Sequence, residues 1–184
     1  DVLKSFDPEV LRFFMLKAHY RSPINYSDAQ LEEARSGLVR LYTALAQTST
    51  SSNFTLDSKS PWVQRFTEAM NDDFNTPEAI AVLFELASEV NRAQGQDKVT
   101  LASTLKALGG ILNFLQRDPT AFLQMGSKNE VGLQAQDIED QIAARAAAKQ
   151  AKDFAKADLI RKTLLEQGIV LEDKPGGITE WRRA

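Results

Sequence analysis

Apolar residues recur at intervals of three and four positions along most of this chain, which is the pattern of amphipathic helices. Several such stretches lie between residues 8 and 115, and each follows a capping residue, a proline or a polar break. Their predicted starts are Asp7-Pro8, Ser27, Ser60-Pro61, Thr76-Pro77 and Lys98, with a further short helical turn after Asp118-Pro119. Short connections favour antiparallel neighbours, so the pattern predicts an antiparallel helical bundle over residues 1–125.

The pattern changes after residue 125. Residues 126–134 (GSKNEVGLQ) are small, polar and aperiodic, which predicts a linker. A helix is then predicted over 137–152, and Asp153 caps a second helix that ends at Gly168. The apolar positions of that second helix are Phe154, Ala157, Ile160, Leu164 and Leu165. An apolar run and a Pro-Gly-Gly turn then indicate a short β-hairpin, so residues 135–184 form a small α+β domain in a mainly α fold.

The net charge of the 184-residue chain is −3 at pH 7, which excludes a generally basic surface for nucleic acid and leaves only a local patch. The chain has no cysteine, which excludes disulfides and thiolate zinc sites and favours a reducing compartment. No apolar run has membrane-spanning length. We therefore expect a cytoplasmic protein with neither a membrane nor a DNA partner. A start at Asp1 is what a fragment of a longer chain would show.

The sequence offers little for covalent chemistry. His19 is the only histidine, so a structural or interdomain role is favoured over catalysis. Asp72 and Asp73 are adjacent and would not face each other on a helix, which favours capping of the turn before Thr76 over an acid–base pair. No glycine-rich loop follows a strand and opens a helix. We therefore expect no catalytic residue, no cofactor and no metal ion in this chain.

Two features near the C-terminal end could bind a polyanion. Arg145, Lys149, Lys152 and Lys156 recur at spacings of three and four, so a positive stripe can form across the predicted helix pair. The other interpretation of the stripe is a solvated helix face. At Trp181-Arg182-Arg183, an indole that stacks on a base would stand beside two phosphate-seeking guanidinium groups. The alternative there is a tryptophan packed on the core and followed by a solubilising tail.

Carboxylates near this stripe complete a candidate site for single-stranded RNA. Asp158 and Asp173 are the candidates for accepting hydrogen bonds from the ring N–H and amino group of guanine, a donor pair that suits one carboxylate. Trp181 would supply the stacking face, and Arg145, Lys149, Arg182 and Arg183 would hold phosphates. Such a site binds RNA without making or breaking a bond.

The chain resembles the C-terminal part of bacterial cysteinyl-tRNA synthetases in four segments. They are DPEVLRFFMLKAHYRSPINYS (7–27), MNDDFNTPEA (70–79), KDFAKADLIRKTLLEQGIVLED (152–173) and the ending WRR (181–183). The resemblance implies that residues 1–125 are the helical stem-contact bundle of DALR type and that 135–184 are the anticodon-binding domain. It also implies anticodon contacts from Asp158, Asp173 and Trp181, and it places Lys149 where relatives often carry arginine.

The same resemblance implies what lies outside this chain. The family's nucleotide-binding fold, its ATP-site motifs and its cysteine-ligated zinc are expected upstream, so ATP-Mg and Zn²⁺ would bind in a missing catalytic domain. The fragment alone would then be inactive. The parent would attach cysteine to tRNA(Cys) with ATP, while this chain grips the tRNA and reads its GCA anticodon. The expected partners are tRNA(Cys) and the upstream catalytic domain.

Two other hypotheses remain open at the level of sequence. The parent could be a related ligase that joins cysteine to a small amine, although the WRR ending and the basic helix pair argue against it. The chain could also be a helical interaction module whose aromatic terminus docks a protein.

Overall fold

The structure is a computed structural model that describes residues 6–51, 54–125 and 133–183. The chain divides into two compact units, Asp1–Phe122 and Leu123–Ala184, hereafter unit 1 and unit 2. The linker predicted at 126–134 falls largely on residues 126–132, which lie outside the described residues. Within the described ranges, no helix is long and apolar enough to cross a membrane.

Unit 1 is built from helices, as the hydrophobic periodicity predicts. They are α1 (Pro8–Leu16), α2 (Asp28–Ala46), α3 (Pro61–Asn71), α4 (Thr76–Arg92), α5 (Gly95–Ile111) and the start of α6 (Pro119–Gln124). The Asp7 carboxylate accepts from the Glu9 N–H at 2.8 Å, and the Ser27 hydroxyl accepts from the Gln30 N–H at 3.3 Å. The predicted caps of α1 and α2 are therefore confirmed.

Helix α5 ends earlier than its periodicity predicts. The apolar pattern runs to Leu115, but the helix stops at Ile111, and Asn113 and Leu115 have left-handed backbones with φ of 60° and 61°. The bend returns the chain onto the helix, where a Cβ at Gly109 would lie 2.8 Å from Leu115 Cδ1. Glycine permits this close approach, so the fold departs from the periodic pattern where the chain must turn back on itself.

The core of unit 1 is aromatic and aliphatic. Phe13 of α1 is 1% exposed and contacts Phe84 edge-on, with 6.2 Å between ring centroids, and Phe114 at 5.2 Å. Tyr42 of α2 also lies in the interior, where its ring stacks on that of Phe122 with 4.0 Å between centroids. The contacts of Phe13 with Phe84 and Phe114 therefore join α1 to residues more than seventy positions further along the chain.

One carboxylate lies inside this core. Glu9 is 4% exposed and accepts from the Tyr42 hydroxyl at 3.0 Å and from the Leu115 N–H at 2.8 Å. Arg117 Nε lies 3.5 Å from the same carboxylate, and Arg117 also donates to both oxygens of Asp7 at 2.7 and 3.0 Å. Burial and the Glu9 charge raise the pKa of Tyr42 well above its ordinary value. The buried charge is therefore paired and hydrogen-bonded, as a buried charge must be.

From residue 133 to residue 183, unit 2 has two helices and a hairpin, which confirms the predicted mainly α fold with a short antiparallel sheet. The elements are α7 (Ala135–Gln150), α8 (Phe154–Glu166), β1 (Ile169–Asp173) and β2 (Thr179–Arg183). Gly168 has φ of 75° and follows α8 as the predicted C-terminal glycine. Gly176 and Gly177, with φ of 86° and 80°, form the turn between the strands.

The core of unit 2 is small. Its buried members are Ile138, Leu164, Ile169, Leu171 and Trp181. The apolar pattern of α8 is only partly buried: Ala157 and Leu164 face the core, whereas Phe154 is 62% and Leu165 58% exposed. The apolar periodicity that predicts the helix does not explain why these two side chains are exposed.

Candidate nucleic-acid interface

One face of the hairpin carries both the core and the candidate site. Leu171 of β1 lies opposite Trp181 of β2, and Asp173 lies opposite Thr179. Because side chains alternate between the faces of a strand, residues two apart share a face. The Asp173 carboxylate is therefore two positions beyond the buried Leu171, at the edge of the core, where it can reach both α7 and solvent.

Asp173 is held by a fork of hydrogen bonds from α7. Arg145 donates from both terminal nitrogens to the two carboxylate oxygens, at 2.8 and 2.9 Å. Lys149 Nζ lies 3.1 Å from one oxygen, and the Thr179 hydroxyl donates to the other at 2.8 Å. The Arg145 fork, with Thr179 and Lys149, holds the pKa of Asp173 far below its usual range. Four donors fill the acceptor capacity of one carboxylate, so Asp173 has none left for a base.

Arg145 is not part of an exposed stripe. Its side chain is 5% exposed, and its Nε is a buried donor without a hydrogen-bond partner in the described part of the chain. The fork to Asp173 is therefore its anchor. The pKa of Arg145 is raised, first by its hydrogen bonds to Asp173 and further by the charges of Asp173 and Asp158. Arg145 therefore does not form part of an exposed stripe, because its guanidinium is buried and its charge is paired with Asp173.

Asp158 is the open carboxylate of the pair expected from sequence. It lies on the exposed side of α8 and makes no hydrogen bond or ion pair with the described residues. Its charge contributes to raising the pKa of Arg145, the residue that holds Asp173. The two carboxylates therefore differ: Asp173 is internally satisfied, and Asp158 is free to accept hydrogen bonds from a ligand.

Trp181 lies in the core of unit 2 rather than on its surface. The side chain is 5% exposed, and its Nε1 donates to Glu139 at 2.6 Å. Stacking on a base needs an open ring face. The geometry does not support the stacking expected for Trp181 and matches the alternative instead, a tryptophan packed on the core.

The two arginines that follow Trp181 also have partners inside unit 2. Arg182 Nε lies 3.5 Å from Glu172, and Arg183 donates to the backbone oxygens of Gln124 and Leu133 at 3.3 and 2.8 Å. The Arg182 contact joins the two strands, and the Arg183 contacts fasten β2 to the chain that precedes α7. The groups expected to seek phosphate at the terminus are therefore engaged within the unit.

The turn between α7 and α8 holds a cation in a strained backbone. Lys152 has φ of 59°, and Asp153 N donates to Ala148 O at 2.9 Å across it. Glycine is the ordinary residue in this left-handed position, and a residue with a Cβ costs on the order of 1 kcal/mol there. Strained residues concentrate at functional sites. Lys152 is exposed and has no ionic partner among the described residues.

Phe154 is the residue that sequence reasoning missed. It is the first residue of α8, follows the cap Asp153, and is 62% exposed. Asp158 is four positions further along the helix, so the ring and the open carboxylate share one face. Lys152 and Lys156, both exposed, flank the ring in sequence. The sequence signal that could have identified Phe154 is an aromatic residue between two lysines, directly after a helix cap. A residue at that position of a helix need not be buried in the core.

In unit 1, the polar residues singled out from sequence make surface contacts. Asp73 accepts from the Tyr20 hydroxyl at 2.8 Å and pairs with Arg21 at 3.2 Å, while His19 Nε2 lies 4.0 Å away. Asp73 and the next residue, Phe74, both have left-handed backbones with φ of 53°. This group fastens the connection between α1 and α2 to the connection between α3 and α4.

Comparison with known proteins finds a matching family model in each of the two units. A family model of the DALR domain matches residues 65–116, and a model of the cysteinyl-tRNA ligase anticodon binding domain matches residues 134–182. The cysteine–tRNA ligase of Polynucleobacter necessarius is 76% identical over 184 residues, which is all of this chain and 39% of that protein. Over its whole length the chain matches the C-terminal part of cysteine–tRNA ligases. Ligases of this family from Polynucleobacter asymbioticus and Ralstonia nicotianae are 76% and 58% identical over the whole chain.

The chain thus spans about two fifths of the cysteine–tRNA ligases that it matches, at 39% of their length. A third family model, of the class I (C) tRNA synthetase catalytic domain, matches residues 1–36. Sequence reasoning places that domain wholly upstream, and this is wrong for one short stretch. Among the described residues, no group of three His, Cys, Asp or Glu side chains could hold a metal ion.

Proposed function

We propose that this chain is the tRNA-binding part of a cysteine–tRNA ligase, and that the α7–α8 turn of unit 2 contacts the anticodon loop. The observation that carries the proposal is the exposed Phe154 ring on the same face of α8 as the uncommitted carboxylate of Asp158. An exposed aromatic ring and a nearby cation are the two elements of a single-stranded RNA site. Lys152 and Lys156 supply the cations.

Each group has a separate task in this proposal. The Phe154 ring stacks on a base of the loop, because it is the exposed aromatic of this surface. The Asp158 carboxylate accepts from the ring N–H and amino group of guanine, as a GCA anticodon requires at its first position. Lys152 and Lys156 contact phosphates. Asp173 does not touch the base and instead fixes Arg145 and Lys149 behind the site.

The activity of the whole protein is part of the proposal. The parent attaches cysteine to tRNA(Cys) with ATP, in a catalytic domain of which residues 1–36 are a short stretch. The zinc ion of the family does not fit the described residues, since the chain has no cysteine and no cluster of metal ligands in its described part. Because only residues 1–36 match the catalytic domain model, we expect the chain alone to bind tRNA and to transfer no cysteine to it.

The binding claim is tested with fluorescent anticodon stem-loops and the 184-residue chain. The GCA stem-loop should bind more tightly than a loop with a mismatched first anticodon base, and salt should weaken both, since phosphate contacts release counterions. Phe154→Ala should weaken binding roughly 5- to 150-fold, which corresponds to about 1–3 kcal/mol for one stacked base. Leu159→Ala is the matched control, because Leu159 is a 63% exposed apolar residue on the same helix.

Base reading is tested separately with Asp158→Asn. An amide keeps one acceptor but adds a donor, so discrimination between GCA and the mismatched loop should fall by about tenfold while phosphate binding persists. Equal discrimination before and after this substitution would refute the guanine contact. No binding by the unmodified chain at low salt would refute the RNA proposal and favour a protein interaction module.

A further inference from the structure

We propose that a groove in unit 1, between α1 and the start of α2, is the docking surface for the remainder of a class I catalytic domain. The groove has a volume of about 250 Å³. Its lining residues lie between Phe14 and Glu33 and include Lys17 and Ile24. The proposal concerns unit 1 and stands apart from RNA binding by unit 2.

The position of the lining residues identifies the occupant. Every one of them falls within residues 1–36, the stretch that matches the class I (C) catalytic domain model. The relatives that match the whole chain extend well beyond it, because the chain covers 39% of their length. A surface formed only by the catalytic-domain stretch is the surface on which the rest of that domain has reason to pack.

Exposure of large side chains points the same way. Met15, Tyr20, Ile24 and Tyr26 are between 44% and 58% exposed, and all lie within twelve consecutive positions of that stretch. Clusters of exposed apolar groups mark interaction surfaces, whereas single ones do not. Outside residues 1–36, the exposed large apolar residues in the described part of unit 1 are Phe74 and Ile111.

The groove is held in shape before any partner binds. The Lys17 ammonium pairs with Glu33 across its rim, and the Phe14 and Tyr26 rings meet edge-on with 6.5 Å between centroids. Further along the same connection, Tyr20 and Arg21 are fastened to Asp73. A preformed surface loses little conformational entropy on docking. An apolar floor of Phe14 and Ile24 with a charged rim is typical of an interface between domains.

The chain allows a direct test because it contains no cysteine. A thiol is introduced by Ile24→Cys in the groove, or by Ile111→Cys as the control, since these isoleucines are 44% and 58% exposed in the same unit. Alkylation of each thiol is followed by peptide mass spectrometry in the 184-residue chain. The same measurement is made in a chimera that carries the preceding portion of the Polynucleobacter necessarius ligase in front of this chain. ATP–pyrophosphate exchange with cysteine establishes that the added portion is folded.

Both thiols should react readily in the chain alone. In the chimera, the thiol at position 24 should react at least tenfold more slowly, and the thiol at 111 should be unchanged. Equal rates at position 24 in the two proteins would overturn the proposal. Slowing that depends on the concentration of the chain alone would assign the groove to a second copy, and slowing only with added tRNA would assign it to RNA, so either result also overturns it.

A second variant makes the test independent of chimera activity. Ile24→Asp should leave the thermal midpoint of the chain alone unchanged and lower that of the chimera by roughly 2–4 °C, because only there is the site covered. Ile111→Asp should change neither midpoint. An unchanged chimera with Ile24→Asp would contradict docking at this groove.

Discussion

Unit 1 and unit 2 each contain a carboxylate that pairs with an arginine, but the two carboxylates differ in how deeply they are buried. Glu9 is 4% exposed and enclosed by the bundle, whereas the Asp173 side chain is 45% exposed at the edge of a core of five residues. The larger unit can surround a charge completely. The smaller unit has its charged cluster and its core on one face of a hairpin, two positions apart.

This difference bears on how substitutions are interpreted. In unit 1, the residues that enclose Glu9 are not among those that line the groove, so stability and binding can be changed separately. In unit 2, Trp181, Leu171 and Asp173 share a hairpin face, so a change that weakens RNA binding can act through the fold. The two tryptophans, Trp62 in unit 1 and Trp181 in unit 2, give each unit its own fluorescence signal.

The largest effect is expected from Trp181→Ala. Loss of a buried tryptophan leaves a cavity and should cost unit 2 about 3–5 kcal/mol, enough to unfold a unit with so small a core. Urea denaturation followed by circular dichroism should lose the unit 2 transition, while Trp62 fluorescence shows the unit 1 transition in place. Trp181→Phe is the control and should retain most of the stability and the RNA binding. Loss of RNA binding by a Trp181→Ala variant with unit 2 still folded would restore the stacking role.

Glu9→Ala should have the next largest effect, confined to unit 1. The substitution leaves the Tyr42 hydroxyl and the Leu115 N–H buried without their acceptor, which should cost about 3 kcal/mol. Trp62 fluorescence in urea measures it. Glu85→Ala removes an exposed pair with Arg65 and should cost no more than about 1 kcal/mol. RNA affinity should be unaffected by either change, and a loss with Glu9→Ala would mean that the units are coupled.

The pH dependence of unit 2 should reveal the Asp173 fork. The pKa of Asp173 is lowered in the folded state, so its contribution is fully present above the unfolded value of about 3.9 and is lost as pH falls below it. In a Trp62→Phe background, Trp181 fluorescence should therefore show unit 2 losing stability between about pH 5 and pH 3. Asp173→Asn should flatten that slope. An unchanged slope would mean that Arg145 does not hold the carboxylate in solution.

The smallest effect is expected at Lys152, where stability and binding should move in opposite directions. Lys152→Gly relieves a left-handed backbone and should stabilise unit 2 by about 1 kcal/mol. It also removes one phosphate contact, so the dependence of stem-loop affinity on salt should fall by about one unit of slope. Lys156→Ala, on a regular turn of α8, should lower the salt dependence without the gain in stability. A stabilised Lys152→Gly variant with unchanged salt dependence would show that Lys152 does not contact RNA.

The sequence predicts the helices of both units because their apolar periodicity and caps are local signals. The Ser27 cap and the Gly168 terminus lie where expected. The burial of Trp181 cannot be predicted from neighbouring residues in the sequence, because it depends on the strand register that places Trp181 opposite Leu171. The Arg145–Asp173 fork joins residues 28 positions apart and has no periodic signal. Phe154 counts among the apolar positions of the helix, because periodicity does not distinguish the first turn of a helix from its interior.

The hydrogen bond from the Leu115 N–H to Glu9 sets an order of events during protein synthesis. The two residues are 106 positions apart. A ribosome that adds about 5–20 residues per second therefore synthesises Leu115 roughly 5–20 s after Glu9. Until then the Glu9 carboxylate lacks its Leu115 donor, and α1 can pack on α2 but not on Phe114. The first helix to be made in unit 1 is therefore among the last to be secured.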